Sequence, residues 1–168
     1  ATIADFLAHS DNHILGELTR RSLFSVEMTQ RAAWTEQISI VRTAFGSLAR
    51  PGSIYFEYTV PRVGRRIDVL AVVGHIVFVI EFKAGEQQFS AAAIEQAWDY
   101  ALDLKNFHST THDRTVAPIV VATRAPSRAA LVSVARDDDG VLRPICAAPE
   151  DLGSIIEQIL EFSGGSPI

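Results

Sequence analysis

The chain has 168 residues, 48% of them hydrophobic, with a mean hydropathy of +0.16 and a formal net charge of −5. This length and apolar content exclude a disordered chain and fit one domain around one core. The acidic balance excludes a protein that coats nucleic acid through bulk electrostatics, though not an enzyme that approaches phosphate through a local basic patch or a metal ion.

No apolar run reaches the roughly 18 residues of a membrane span, because Glu81 and Lys83 end the longest candidate, so no membrane association is expected. The opening residues 1–13 lack a basic start followed by an apolar block, so no secretory signal is visible. The single Cys146 excludes an intramolecular disulfide framework, and its apolar neighbours make it a core thiol of a reducing, cytoplasmic compartment.

In chain order, short helical or looped pieces are expected around Ile3–Leu7 and Ile14–Leu18. His9 and His13, four apart with Asp11 between them, read as a surface pair rather than a metal site. A helix from about Thr29 to Leu48 follows from the 4-3-4-3 spacing of Trp34, Ile38, Val41, Phe45 and Leu48, and Arg50-Pro51-Gly52 ends it. Glu36 sits beside the edge of that stripe. Residues 53–60 alternate Ile54, Phe56, Tyr58 and Val60 against Tyr55, Glu57 and Thr59, which predicts a strand with one strongly apolar face.

Two apolar runs follow, Arg66–Val73 and Ile76–Lys83, and the tight-turn signal Gly74-His75 joins them as an antiparallel hairpin. With period two, Val77, Val79, Glu81 and Lys83 share one face of the second strand and Ile76, Phe78, Ile80 and Phe82 the other. Pairing brings Asp68 back towards Glu81. Ionised groups at the end of buried strands must be paired, hydrated or bound to metal. The plainest solution is a salt bridge from Lys83 to one of the carboxylates; the sharper one is a reactive site. Arg62, Arg65 and Arg66 precede Asp68 as a local basic patch, read either as a solvated turn or as a phosphate contact.

After a loop, a second helix is expected from about Ala91 to Phe107, with Ile94, Ala97, Trp98, Ala101, Leu102 and Lys105 on its core side and Asp99 and Asp103 pointing away. Gln96 and Tyr100, four apart, share a flank. His108 and His112 fall in a polar loop. Residues 117–123 read as a buried strand reached by a helical crossover and so parallel to its neighbour. Residues 130–147 read as a strand pair around Asp137-Asp138-Asp139-Gly140, and a helix from about Pro149 to Phe162 closes the domain. The ending SGGSPI has the composition of a flexible linker. This order of elements describes an α/β sandwich with a mixed sheet.

Asp68, then Glu81-Phe82-Lys83 thirteen residues on, then Gln96-Ala97-Trp98-Asp99-Tyr100 on a helix, resemble the PD-(D/E)xK nuclease superfamily, in particular its RecB-like branch with a QxxxY motif. The stretches FEYTVPRVGRRIDVL and DYALDLKNFH are similar to a bacterial family in which such a domain precedes a P-loop helicase-like domain.

The resemblance implies a restriction-endonuclease-like mixed β-sheet flanked by helices, in a single nuclease-like domain over 1–168 with its core at about 30–147, as the N-terminal part of a longer chain. It implies metal-dependent hydrolysis of phosphodiester bonds, with DNA as partner and Mg2+ or Mn2+ as cofactor. Asp68, Glu81 and the Phe82 carbonyl would be metal ligands, Lys83 would orient or activate the attacking water, and Glu36 would be the acidic residue of the first helix. Gln96 and Tyr100, with Arg62, Arg65 and Arg66, would contact nucleic acid. Ile67 stands where the motif has its nominal proline. Two other readings remain open: a non-catalytic nuclease-like binding module of a larger DNA-processing protein, and a metal-free sugar hydrolase using Glu57 with Glu81.

Overall fold

A computed structural model of the chain describes every residue except 23–25, 49, 62, 108–110, 129–138 and 164–168. In chain order the elements are α1 (Ile3–Ala8), α2 (Asp11–Arg21), α3 (Met28–Gly46), β1 (Gly52–Thr59), β2 (Arg66–Val73), β3 (Ile76–Lys83), α4 (Ala91–Phe107), β4 (Thr115–Ala122), β5 (Ile145–Ala147), a 3-10 turn (Pro149–Asp151) and α5 (Leu152–Ser163). The strands form one mixed sheet in the order β1-β2-β3-β4-β5. The first three are an antiparallel meander, and β4 and β5 join in parallel.

Sequence explains most of these boundaries. Thr2 and Asp5 form a reciprocal capping box that starts α1, and the Ser10 hydroxyl caps α2. Gly74 takes φ 58° in the turn between β2 and β3, a conformation without steric cost only for glycine. Gly52 at the start of β1 is also required, because a Cβ there would lie 2.5 Å from the Val72 carbonyl oxygen and 2.7 Å from Ile3 Cδ1. The crossover through α4 is what makes β4 parallel to β3.

The sheet is covered on both faces. Ile76, Phe78, Ile80 and Phe82 pack with Trp34, Ile38, Val41 and Phe45 of α3 and with Ile156 and Ile159 of α5. Val77 and Val79 face α4 at Ala101 and Leu104. The two-faced reading of β3 is therefore what the fold contains, and β4, buried along its whole length, is the central parallel strand.

Four expectations change. Along β1 the alternation breaks at Glu57: Ile54 and Phe56 face the α3 side, but Tyr58 and Val60 pack on the α4 side. Glu57 has φ 53°, the one non-glycine left-handed residue among those described, and this backbone turn carries the switch of face. On α4, Leu104 is buried and the Asp103 side chain is half-buried, so the apolar face is rotated towards Asp103, while Lys105 Nζ instead donates to carbonyls of Thr111, His112 and Arg114. Cys146 is exposed, because β5 is a short edge strand that points Ile145 and Ala147 inward and its middle residue out. Of the strand pair expected over 130–147, the first half and the turn residues Asp137 and Asp138 lie outside the described residues; the second half supplies β5, parallel to β4.

Candidate active site

The β-register builds the site. Phe56 pairs with Val69 and Tyr58 with Ile67, which sets Glu57 opposite Asp68. Val69 pairs with Ile80, which sets Asp68 opposite Glu81 one step further on. Three carboxylates therefore occupy one row across three neighbouring strands, at the end where β3 and β4 run parallel towards their carboxyl termini. Open α/β sheets bind ligands at such ends.

At this row the backbone ladder between β2 and β3 gives way to side chains. The Asp68 amide donates to Glu81 Oε1 at 3.2 Å, and the Phe82 amide donates to Asp68 Oδ2 at 2.9 Å. Each carboxylate thus satisfies an amide beside the other residue, as buried backbone donors require. Asp68 Oδ1 and Glu81 Oε2 take no part in these bonds.

The arrangement is electrostatically expensive. Glu81 is 3% exposed, and burial, followed by the charge of Asp68, pushes its carboxyl up to about 8 against the pull of the Asp68 amide and Lys83. Burial also raises Asp68, opposed first by the Phe82 amide bond and assisted by Glu57. A buried pair of this kind retains a proton unless a cation replaces it.

Lys83 does not resolve the pair by a salt bridge. Among the described residues it forms no ion pair with either carboxylate; its ammonium donates to Gln96 Oε1 at 2.6 Å, and Gln96 Nε2 donates to the Tyr100 hydroxyl at 2.9 Å. The i, i+4 spacing on α4 makes this chain, so Gln96 and Tyr100 do flank the strand end as their shared helix face predicts.

Two arginines of the basic patch have carboxylate partners. Arg65 pairs with Asp99 at 3.6 Å and Asp103 at 3.3 Å and lies 5.8 Å from the centroid of the Tyr100 ring. Arg66 pairs with Glu57 through Nε at 2.6 Å. Neither is an unpaired cation awaiting phosphate, because the acidic side of α4 and the turned carboxylate of β1 lie within reach; Arg62 lies outside the described residues. Glu36 on α3 pairs with Arg124 beyond β4 at 3.7 Å, and its charge is not among those acting on Asp68 or Glu81. Phe82 buries its ring against the α3 side while its amide serves Asp68. Among the described residues, no group of three or more His, Cys, Asp or Glu side chains is placed to hold a metal ion.

Sequence reading set Glu57 beside Glu81 only as the second carboxylate of a sugar hydrolase and did not anticipate its partners Trp34 and Arg66. Its Oε1 accepts from the Trp34 indole at 2.7 Å, and its Oε2 lies 2.6 Å from Arg66 Nε as an ion pair without hydrogen-bond geometry. It also walls two clefts beside β1, of about 510 and 310 Å³. The signal was available in the hairpin register, which places residue 57 opposite residue 68, but strict alternation along β1 points it to the wrong face.

No family model matches the chain, and no curated protein matches it significantly. Solved structures give distant likenesses. Protein VC1899 from Vibrio cholerae is 14% identical with a TM-score of 0.39, over 90% of this chain and 42% of that one. The small subunit of the heterodimeric restriction endonuclease R.BspD6I is 10% identical with a TM-score of 0.42, over 99% and 82% of the two chains. Protein AF1548, of unknown function, is 16% identical with a TM-score of 0.39, over 79% and 68%. The chain thus spans less than half of VC1899, and at these scores the likenesses assign no chemistry to it.

Proposed function

We propose that the chain is a metal-dependent nuclease domain of the PD-(D/E)xK, restriction-endonuclease-like kind that hydrolyses phosphodiester bonds in DNA. The observation that carries this reading is the row at the hairpin end: a buried and a half-buried carboxylate that repel each other and interlock through their amides, with an ammonium next to them that is held by Gln96 rather than by either carboxylate.

The donor set fits a hard divalent cation. Mg2+ and Mn2+ prefer oxygen ligands, and a cation removes the repulsion that otherwise keeps a proton on Glu81. Asp68, Glu81 and the Phe82 carbonyl would hold it. Bound there, the metal would supply compensation for charge developing on phosphate and a lowered pKa for water. The protein's own groups do the rest. Lys83 donates to a phosphate oxygen or to the attacking water, and Gln96 and Tyr100 fix its ammonium while bordering the path of the nucleic acid. Arg65 and Arg66 are paired with Asp99, Asp103 and Glu57, whereas Lys83, among the described residues, is in no ion pair and serves the reacting phosphate.

The test is cleavage of single- and double-stranded DNA by the purified protein with Mg2+ or Mn2+. Cutting that disappears in Glu81→Ala, while the variant still unfolds cooperatively, supports the reading. A protein that cuts neither DNA nor RNA with either metal contradicts it.

The same ion pairs favour one second reading, a non-catalytic nuclease-like module of a larger DNA-processing protein, because a chain of net charge −5 whose Arg65 and Arg66 are paired with carboxylates attracts phosphate weakly. A helicase-like domain after residue 168 would then supply the affinity. DNA binding unchanged by Asp68→Ala, with no turnover at any metal concentration, would select this reading over the first.

A further inference from the structure

Glu57 occupies a conformation that L-residues adopt at a cost, and among the described residues it is the one non-glycine that does so. The turn takes its carboxylate off the face that alternation assigns it and puts it between the Trp34 indole, at 2.7 Å, and the Arg66 guanidinium, at 2.6 Å. Trp34 is 3% exposed within the α3 face of the core, so this anchor is rigid. Arg66 is different: its side chain is 59% exposed, and Glu57 is the ion-pair partner that restrains it.

Arg66 lies two residues before Asp68 on β2, where the strand changes face, since Ile67 packs on the α4 side and Val69 on the α3 side. The positive charge of Arg66 already acts on Asp68. A guanidinium binds a carboxylate in bidentate fashion and is the natural competitor of a divalent cation for it.

We propose that Glu57 is a positioning residue that holds Arg66 away from Asp68 and so keeps that carboxylate open to a divalent cation. The inference rests on the reading of Asp68 and Glu81 as cation ligands, and it names what protects one of them. Without the Glu57 carboxylate, Arg66 swings onto Asp68 and closes the site with an internal salt bridge.

The probe is Mn2+, titrated calorimetrically into the whole 168-residue protein. E57Q keeps an acceptor for Trp34 but loses the charge that holds Arg66; E57G removes the side chain while accommodating the left-handed backbone without strain. Both are expected to weaken Mn2+ binding about tenfold. R66A alone changes it by less than about twofold, because Arg66 is already parked, whereas E57Q/R66A returns it to within about twofold of wild type. This non-additivity separates positioning from simple charge balance, under which the two single effects would sum to that of the double variant; such a sum overturns the proposal.

Undiminished Mn2+ affinity in E57Q beside a wild type that binds Mn2+ also overturns it while leaving the carboxylate site intact. A wild type that binds no Mn2+ overturns both. A crystal structure of metal-free E57Q supplies a readout independent of the ion: Arg66 hydrogen-bonded to Asp68 supports the proposal, and Arg66 turned into solvent contradicts it.

Discussion

The two ends of the β2–β3 hairpin are built from the same pair of strands and obey different rules. From Val69↔Ile80 to Val73↔Ile76 the backbone pairs in regular register between side chains such as Ala71 and Phe78, which are fully buried. One step past Val69, backbone amides are satisfied by carboxylates instead of carbonyls, and apolar packing is replaced by charge. The first end earns stability from burial; the second spends some of it on holding Asp68 and Glu81 together. A fold that places its least comfortable groups at the end of its best-packed strands can keep them within tenths of an ångström of one geometry, as a reactive site requires.

Variants at the two ends should separate these roles. The largest effect expected is on activity: Lys83→Ala lowers the cleavage rate about 10²–10⁴-fold, the range for a positioned proton-transfer group, with little change in thermal midpoint. At the other end, Phe78→Ala should cost about 3–5 kcal/mol in denaturant unfolding while the protein that remains folded binds Mn2+ as wild type does. If Phe78→Ala abolishes Mn2+ binding in the folded fraction, the two ends are not separable.

The next effect is pH-dependent. Glu81 is raised from 4.5 to about 8 on folding, so the unfolded state releases its proton first as pH increases. The contribution is thus fully present below about pH 4.5 and is lost as pH rises through about 8. The loss in metal-free protein should be on the order of a few kcal/mol, flattened in Glu81→Gln and reversed by Mn2+. Unfolding curves at pH 5 and pH 8 check it, and equal pH dependence in wild type and Glu81→Gln would contradict it. The smallest effect is indirect: Gln96→Ala frees the Lys83 ammonium and should lower the cleavage rate about tenfold without altering Mn2+ affinity, measured by the same assay and titration.

Much of this contrast was legible in the sequence, and what was not has a physical cause. Period two along residues 76–83 gave both faces of β3 correctly, because a strand buried on both sides leaves no freedom to slip. The Gln96–Tyr100 flank was legible because helical spacing alone determines it. The face that Glu57 takes was not, since one residue with φ 53° reverses the alternation on which the reading of β1 relied, and glutamate gives no warning of that conformation. The partners of Arg65 were not legible for a different reason: it meets Asp99 and Asp103 only after α4 crosses the sheet, a contact across more than thirty residues that no local pattern announces. Cys146 failed similarly, since apolar neighbours in sequence do not say that β5 is an edge.

The central claim is that the Asp68–Glu81 end of the hairpin holds a proton in place of a divalent cation. Calorimetric titration of Mn2+ at pH 7, repeated in two buffers of different ionisation enthalpy, measures both binding and proton release. The account predicts saturable binding with release of about one proton per ion, lost in Glu81→Gln. No binding, or binding with no proton released, would contradict it.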